Sequence, residues 1–385
     1  MLAASLPAVA QDSTLTRYAR QNQYVLQASG AQFSGAGWDK LRADMLKSQF
    51  VLVGEDHGTA QIPAFTAALA HEFKPAVYVA EIDPYVAQVL TRLTAQPGPP
   101  VAYQRQYPES LCFYDLAEEY ELARSLRAQK TRLVGIDQVF ITTAAPFYAQ
   151  LAGLVKSQPA RAYFTERAAT YQRQTQAFEK RSAEEWVMVK QSQAAIDSLL
   201  TFTKNESPAA RQMAQDYAAS YAIYQSGSHQ ARLSLMKRNL LRELKPSEAA
   251  PRMLFKFGAY HVARGLSPAP FGEFYDVGNL VQNLADAQGQ KSLHVLVVGK
   301  QGTEARGTNP NFPDKNIAAY TAADKPKYQQ FLALSTSPAW SVFDLRPARR
   351  AITAGKLQVS ETLRRHILGY DYLVVIPETT ASKPL

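Results

Sequence analysis

Apolar positions along the chain follow two patterns. Short unbroken runs rich in β-branched residues alternate with stretches in which apolar residues recur at helical spacing. The first run, Phe50-Val51-Leu52-Val53-Gly54, leads straight into Glu55, Asp56, His57 and Gly58. After it, Ile62, Phe65, Ala68, Leu69 and Phe73 form one face of a predicted helix over 60–73. A buried strand that opens at its carboxyl end into a polar loop and a helix is the repeating unit of an α/β sheet. Similar runs are Ala76 to Ala80, ending on Glu81, and Arg132 to Ile136, ending on Asp137. Later come Met253 to Gly258, Leu293 to Gly299, Trp340 to Leu345 and Tyr370 to Pro377. Helices are predicted over 13–47, interrupted by the Gly-rich stretch 30–37, from Pro84 through Leu93, and over 114–129. The pattern predicts an α/β fold with a mostly parallel sheet flanked by helices.

From 141 the character changes to a long polar stretch rich in Gln, Ala, Arg and Tyr, without a strand. Ser228 can cap a helix running to Leu244, with Leu233, Met236, Leu240, Leu241 and Leu244 on its apolar face. The expected organisation is therefore a tail over 1–12, a first part of the α/β core over 13–140, a helical insertion over 141–250 and a second part of the core over 251–380. The insertion is expected to pack as a lid over the carboxyl edge of the strands.

Composition narrows the classes. Hydrophobic residues make up 46% of 385, enough for a sizeable core. The net charge of +9 would suit an anionic partner, but Lys and Arg are scattered through helices that also carry Glu. This is a basic surface, not a nucleic-acid site. The single cysteine, Cys112, excludes an internal disulfide and a cysteine-based zinc site. No apolar run approaches the ~18 residues that span a membrane. Leu2 to Gln11, with Ala8-x-Ala10, resembles the cleavage end of a secretory signal without its charged n-region. It points to a periplasmic or secreted protein, with a cytoplasmic one as the alternative.

Open α/β sheets bind ligands beyond the carboxyl ends of their strands. Glu55 and His57, Glu81, Asp137 and, a few residues past its run, His261 all stand at such ends. There is no Gly-x-Ser-x-Gly elbow, no His-Glu-x-x-His pair and no Gly-x-Gly-x-x-Gly after the first strand. What remains is two histidines with carboxylates, able to activate a water or to hold a divalent metal. Arg264 could receive a substrate oxyanion. Arg232 and Asn239, two turns apart on one helix and roughly on one face, could both point at the site.

These residues resemble the signature blocks of the erythromycin esterase family. The blocks are Gly54-Glu55-Asp56-His57-Gly58, Glu81, Gly135-Ile136-Asp137, Arg232-x-x-x-Met236-x-x-Asn239-Leu240, Phe257 to Gly265, and Tyr370 to Thr380. They occur in the family's order over about residues 50–380. The wider superfamily includes ChaN-type haem-binding lipoproteins and the TraB/TIKI group, some of them metal-dependent proteases. The resemblance implies a parallel α/β sheet with a helical lid and hydrolysis of an ester or lactone small molecule by an activated water, without a cofactor. Glu55, His57, Glu81 and His261 would be catalytic, and Arg264, Asp137, Arg232 and Asn239 would bind substrate. Haem, with histidine and Tyr260 as ligands, or a divalent metal is the alternative. Two departures stand out. The esterases usually have Gly-Glu-Ala-Thr-His, one residue longer than the present block, and a late His-Asn-x-His, where this chain has Gly258 in place of the first histidine. The resemblance therefore points to the superfamily more than to macrolide chemistry.

Overall fold

A computed structural model of the chain describes residues 8–176, 186–244, 251–308 and 315–385. The start of the signal-like stretch, Leu2 to Pro7, and parts of the expected insertion, 177–185 and 245–250, lie outside the described residues. From Ala8 the chain is helical to Gln21.

The strands are Gln23–Ser29 (β1), Gln32–Ser34 (β2), Phe50–Glu55 (β3), Val77–Ala80 (β4), Arg132–Gly135 (β5), Met253–Gly258 (β6), Ser292–Gly299 (β7), Gly302–Ala305 (β8), Ile317–Tyr320 (β9), Trp340–Asp344 (β10) and Tyr372–Ile376 (β11). Nine of them form one sheet in the order β2-β1-β10-β11-β7-β3-β6-β4-β5, and β8 and β9 form a separate antiparallel pair. The neighbours β11, β7, β3, β6 and β4 run parallel, while β10, β1 and β2 continue antiparallel. The fold is thus mixed α/β with a mostly parallel sheet. β3, β7 and β11 are buried along their whole length. Burial on both faces is why they read as unbroken apolar runs.

The expectation of helix throughout 13–47 is corrected. Gln23–Ser29 and Gln32–Ser34 are a hairpin closed at Gly30, whose φ of 59° suits a glycine. Most of β1 is exposed, so burial never imposed a clear period on its sequence. β8 begins at Gly302, three residues after the end of β7.

The chain divides into two units. The first contains 1–80, 121–133 and 245–383, the second 81–120, 134–244 and 384–385. In the first, β3 is followed by the helix Gln61–Phe73, which buries Ile62, Phe65, Leu69 and Phe73, and then by β4, beyond β6. β6 is followed by the helix Val277–Ala287 and then by β7, beyond β3. The connections leaving the adjacent strands β3 and β6 run in opposite directions along the sheet. A crevice opens at such a switch point in open α/β sheets.

His294, on β7, is wholly buried. Its Nδ1 lies 2.6 Å from the Val262 carbonyl and its Nε2 is 2.8 Å from Ser292 Oγ. A neutral ring satisfies both contacts, and burial pushes its pKa down to about 3. The unfolded chain takes up a proton below the ordinary value of 6.5 and the folded one does not. Stability is therefore constant above pH 6.5 with respect to this group and falls as pH drops toward 3, by on the order of 5 kcal/mol at the limit. Urea melts over that window will give this slope in the native chain and a flatter one in His294→Leu.

The second unit is helical, with an aromatic core. Tyr148 packs edge-on against Tyr171 and Tyr217, at ring-centroid distances of 5.0 and 5.3 Å. Phe147, Phe164, Leu199 and Met213 fill the space around them. Asp83 caps the helix Pro84–Leu93 by accepting from the Tyr85 and Val86 amides. Ser228 caps His229–Arg242, as expected from the sequence. Leu233, Met236 and Leu240 on that helix are buried, but Leu241 is 46% exposed and does not belong to the apolar face. No helix among the described residues is long and apolar enough to cross a membrane.

Candidate functional site

The structure distributes the expected residues over both units. In the first, β3 ends on Glu55, which is 3% exposed. The adjacent strand β6 reaches it with Lys256, whose ammonium Nζ is 2.5 Å from Glu55 Oε1. The same oxygen lies 2.9 Å from His57 Nδ1. Burial by itself would raise the Glu55 carboxyl. The Lys256 charge and the contact with His57 outweigh it and hold the pKa below the ordinary value of 4.5. An ionised carboxylate can only accept, so Nδ1 carries the hydrogen toward Glu55 and Nε2 carries the lone pair. The second carboxylate oxygen, Oε2, is buried without a hydrogen-bond partner.

The loop after β3 is fixed by its glycines. At Gly58 φ is 82°, and a Cβ there would meet the Ala305 carbonyl oxygen at 2.0 Å. The Gly58 carbonyl accepts from the Ala305 and Ser382 amides, at 2.9 Å each. Gly54 leaves room for Tyr370 and Val262, each 2.9 Å from where its Cβ would be. Asp56, between the two residues of the dyad, turns outward to Lys325 Nζ at 2.7 Å.

β6 ends beside β3, with Gly258 paired to Glu55 and the Ala259 amide donating to the Glu55 carbonyl. Three residues on, His261 is buried, and its Nδ1 lies 2.9 Å from Asp276 Oδ2. Asp276 is wholly buried and caps the helix Val277–Ala287 by accepting from the Val277 amide at 2.6 Å. That helix approaches so closely that a Cβ on Gly278 would meet the Val262 carbonyl carbon at 2.3 Å. A second carboxylate–imidazole dyad thus stands at the end of the strand next to the first. Arg264 points to Asp371 at 2.8 Å, and Arg349 reaches the same carboxylate at 3.1 Å. Its charge is matched inside the fold.

In the second unit, Arg232 Nη2 lies 2.9 Å from Glu81 Oε1 and 2.5 Å from Asp137 Oδ2, and its Nε is 2.9 Å from Asp137 Oδ1. The two carboxylates hold the guanidinium firmly charged, far above its ordinary range. Asn239, seven residues along the same helix, donates to the Ile136 carbonyl at 2.9 Å. Glu81, Asp137, Arg232 and Asn239 therefore form one linked polar group. Each polar side chain in it has an internal partner.

No protein-family model matches the chain, and no curated protein does. Solved structures do. A Bacillus cereus protein superposes with a TM-score of 0.59 at 15% identity, over 97% of this chain and 99% of its own. A succinoglycan biosynthesis protein gives 0.59 at 11% identity, over 98% and 99%. The erythromycin esterase EreC, in an open conformation, gives 0.56 at 13% identity, over 94% and 98%. The chain has an erythromycin esterase-like fold. At these identities the likeness concerns the fold and carries no substrate.

Within this erythromycin esterase-like fold, two residues of the dyads escaped the sequence reading. Lys256 sits inside a run that otherwise reads as a buried strand, and a lysine there was the available signal. Asp276 was not singled out, and the structure shows that it is also the cap of the helix Val277–Ala287. The residues at β3 do not fit a divalent cation. Glu55 Oε1 already carries an ammonium that would repel a second positive charge. Among the described residues, no group of three or more His, Cys, Asp or Glu could hold a metal ion.

Proposed function

We propose that this protein hydrolyses an ester or lactone small molecule by a water activated at His57. The observation that carries the reading is the buried Glu55 carboxylate, held ionised by Lys256 and bonded to His57 Nδ1. This contact orients the ring, leaves Nε2 as the base and stabilises the imidazolium that forms. His57 takes one proton as the water oxygen bonds to the carbonyl carbon. It returns that proton to the leaving alkoxide when the tetrahedral intermediate collapses to acid and alcohol.

His261, its ring fixed by Asp276, stabilises the developing oxyanion. Glu81, which the family resemblance implies as a second carboxylate, is paired with Arg232 within the second unit. Arg264, Arg232, Asp137 and Asn239 are proposed to anchor their loops more than to touch substrate, since each has an internal partner.

The test is turnover of small esters, lactones and a macrolide, with and without EDTA. Hydrolysis that resists EDTA is expected. Hydrolysis that EDTA abolishes would replace the histidine base with a metal-dependent reaction, as in a peptidase. Absence of turnover, together with a Soret band on haemin titration, would replace the enzyme with a haem-binding protein.

A further inference from the structure

The short turn Pro326–Tyr328 follows Lys325 and carries Lys327. Just before it, Lys325 reaches the β3 loop through Asp56, at 2.7 Å, and its ammonium lies 4.1 Å from the centre of the Tyr320 ring. Within the turn, Lys327 reaches the β6 loop. Its ammonium is 5.9 Å from the ring centre of Tyr260, the residue before His261, and 4.9 Å from that of Tyr328. Two lysines on one short turn thus face the loops that carry the two dyads. Their charges are treated differently.

Lys325 is neutralised by Asp56. Lys327 is half-buried, and among the described residues no carboxylate pairs with it. Ring faces attract a cation, but they supply no charge-assisted hydrogen bond. A partly desolvated ammonium left in that state gains from an incoming anion. Beside it the β6 loop presents an aromatic surface. Phe271 packs edge-on to Tyr260 at 6.1 Å, stands 6.0 Å from Phe274 and is 57% exposed.

The geometry points to Lys327 as the receptor of an anionic group on the substrate, with Tyr260 and Phe271 covering the apolar carbon next to it. The inference rests on the proposed hydrolysis and names its substrate class, an ester or lactone that also carries a carboxylate. Burial lowers the Lys327 pKa somewhat, and Asp56 opposes that. The neighbouring His366 is buried and driven toward its neutral form, so it does not compete for the anion.

Two pairs of probes separate this inference from the hydrolysis itself. Monomethyl succinate and dimethyl succinate share a skeleton and a scissile ester and differ in one negative charge. Pentanoate and pentanamide do the same without an ester, and their binding can be followed by NMR titration. The native protein is expected to prefer the anionic member of each pair by about tenfold, and Lys327→Met to lose that preference. Melting of the variant near the native temperature will certify its fold. Equal treatment of the two members by the native protein, or a preference that survives in Lys327→Met, would overturn the inference. Neither ester turned over, with a Lys327-dependent preference for pentanoate, would retain the anion site and remove the hydrolase reading.

Discussion

Replacing Lys256 by methionine will destabilise the first unit by about 3–5 kcal/mol and reverse the sign of its pH dependence near pH 5. The ammonium is 4% exposed and the carboxylate it meets is 2% exposed. Removing it leaves a buried charge whose other partner is one imidazole. In the native chain the Glu55 pKa is below 4.5, so its contribution is complete above that pH and lost as pH falls through the depressed value. Without Lys256 the strongest remaining influence is burial, which pushes the carboxyl above 4.5. The acid then folds protonated, and the contribution is present below pH 4.5 and lost as pH rises. Urea melts of both chains between pH 4 and 7 decide it. Slopes of equal sign, or a loss under 1 kcal/mol, would mean that Lys256 does not hold the Glu55 charge. The double variant Lys256→Met/Glu55→Leu should regain much of the lost stability, because no buried charge is left unpaired.

The same pair shows what the sequence makes legible. Glu55 and His57 could be found because the contact is local, two residues apart at the end of an apolar run. Lys256 stands 201 residues from Glu55. Only the register of β3 against β6 brings them together, and apolar periodicity does not specify register between distant strands. Asp276 and His261 lie 15 residues apart across a loop, and no local pattern couples them. Arg264, Arg232 and Asn239 were visible as polar residues in unusual positions. Their pairings with Asp371, Asp137 and Ile136 were not, so polarity alone suggested substrate contact. The central strands were readable because burial on both faces imposes a continuous apolar run. The exposed β1–β2 hairpin carries no such constraint and was misread.

His57→Ala is the second large effect. Loss of a positioned general base lowers kcat by about 10²–10⁴-fold, and the fold should hardly change, because the His57 side chain is 32% exposed and leaves no deep cavity. The two measurements together separate a chemical role from a packing role. A structural histidine would lower the melting temperature along with the rate, whereas a base lowers the rate alone. Added imidazole supplies a sharper distinction. It can enter the space left by a partly exposed ring and accept the water's proton there, with Glu55 still ionised by Lys256 to orient it. Partial recovery of kcat that saturates with imidazole, and rises with pH through the imidazole pKa, is therefore expected of His57→Ala. The same recovery should be weaker in His57→Ala/Lys256→Met, where Glu55 has lost the ammonium that holds its pKa down. Rescue that is undiminished in the double variant would detach the carboxylate from the mechanism, and an unchanged rate in His57→Ala would remove His57 from it altogether.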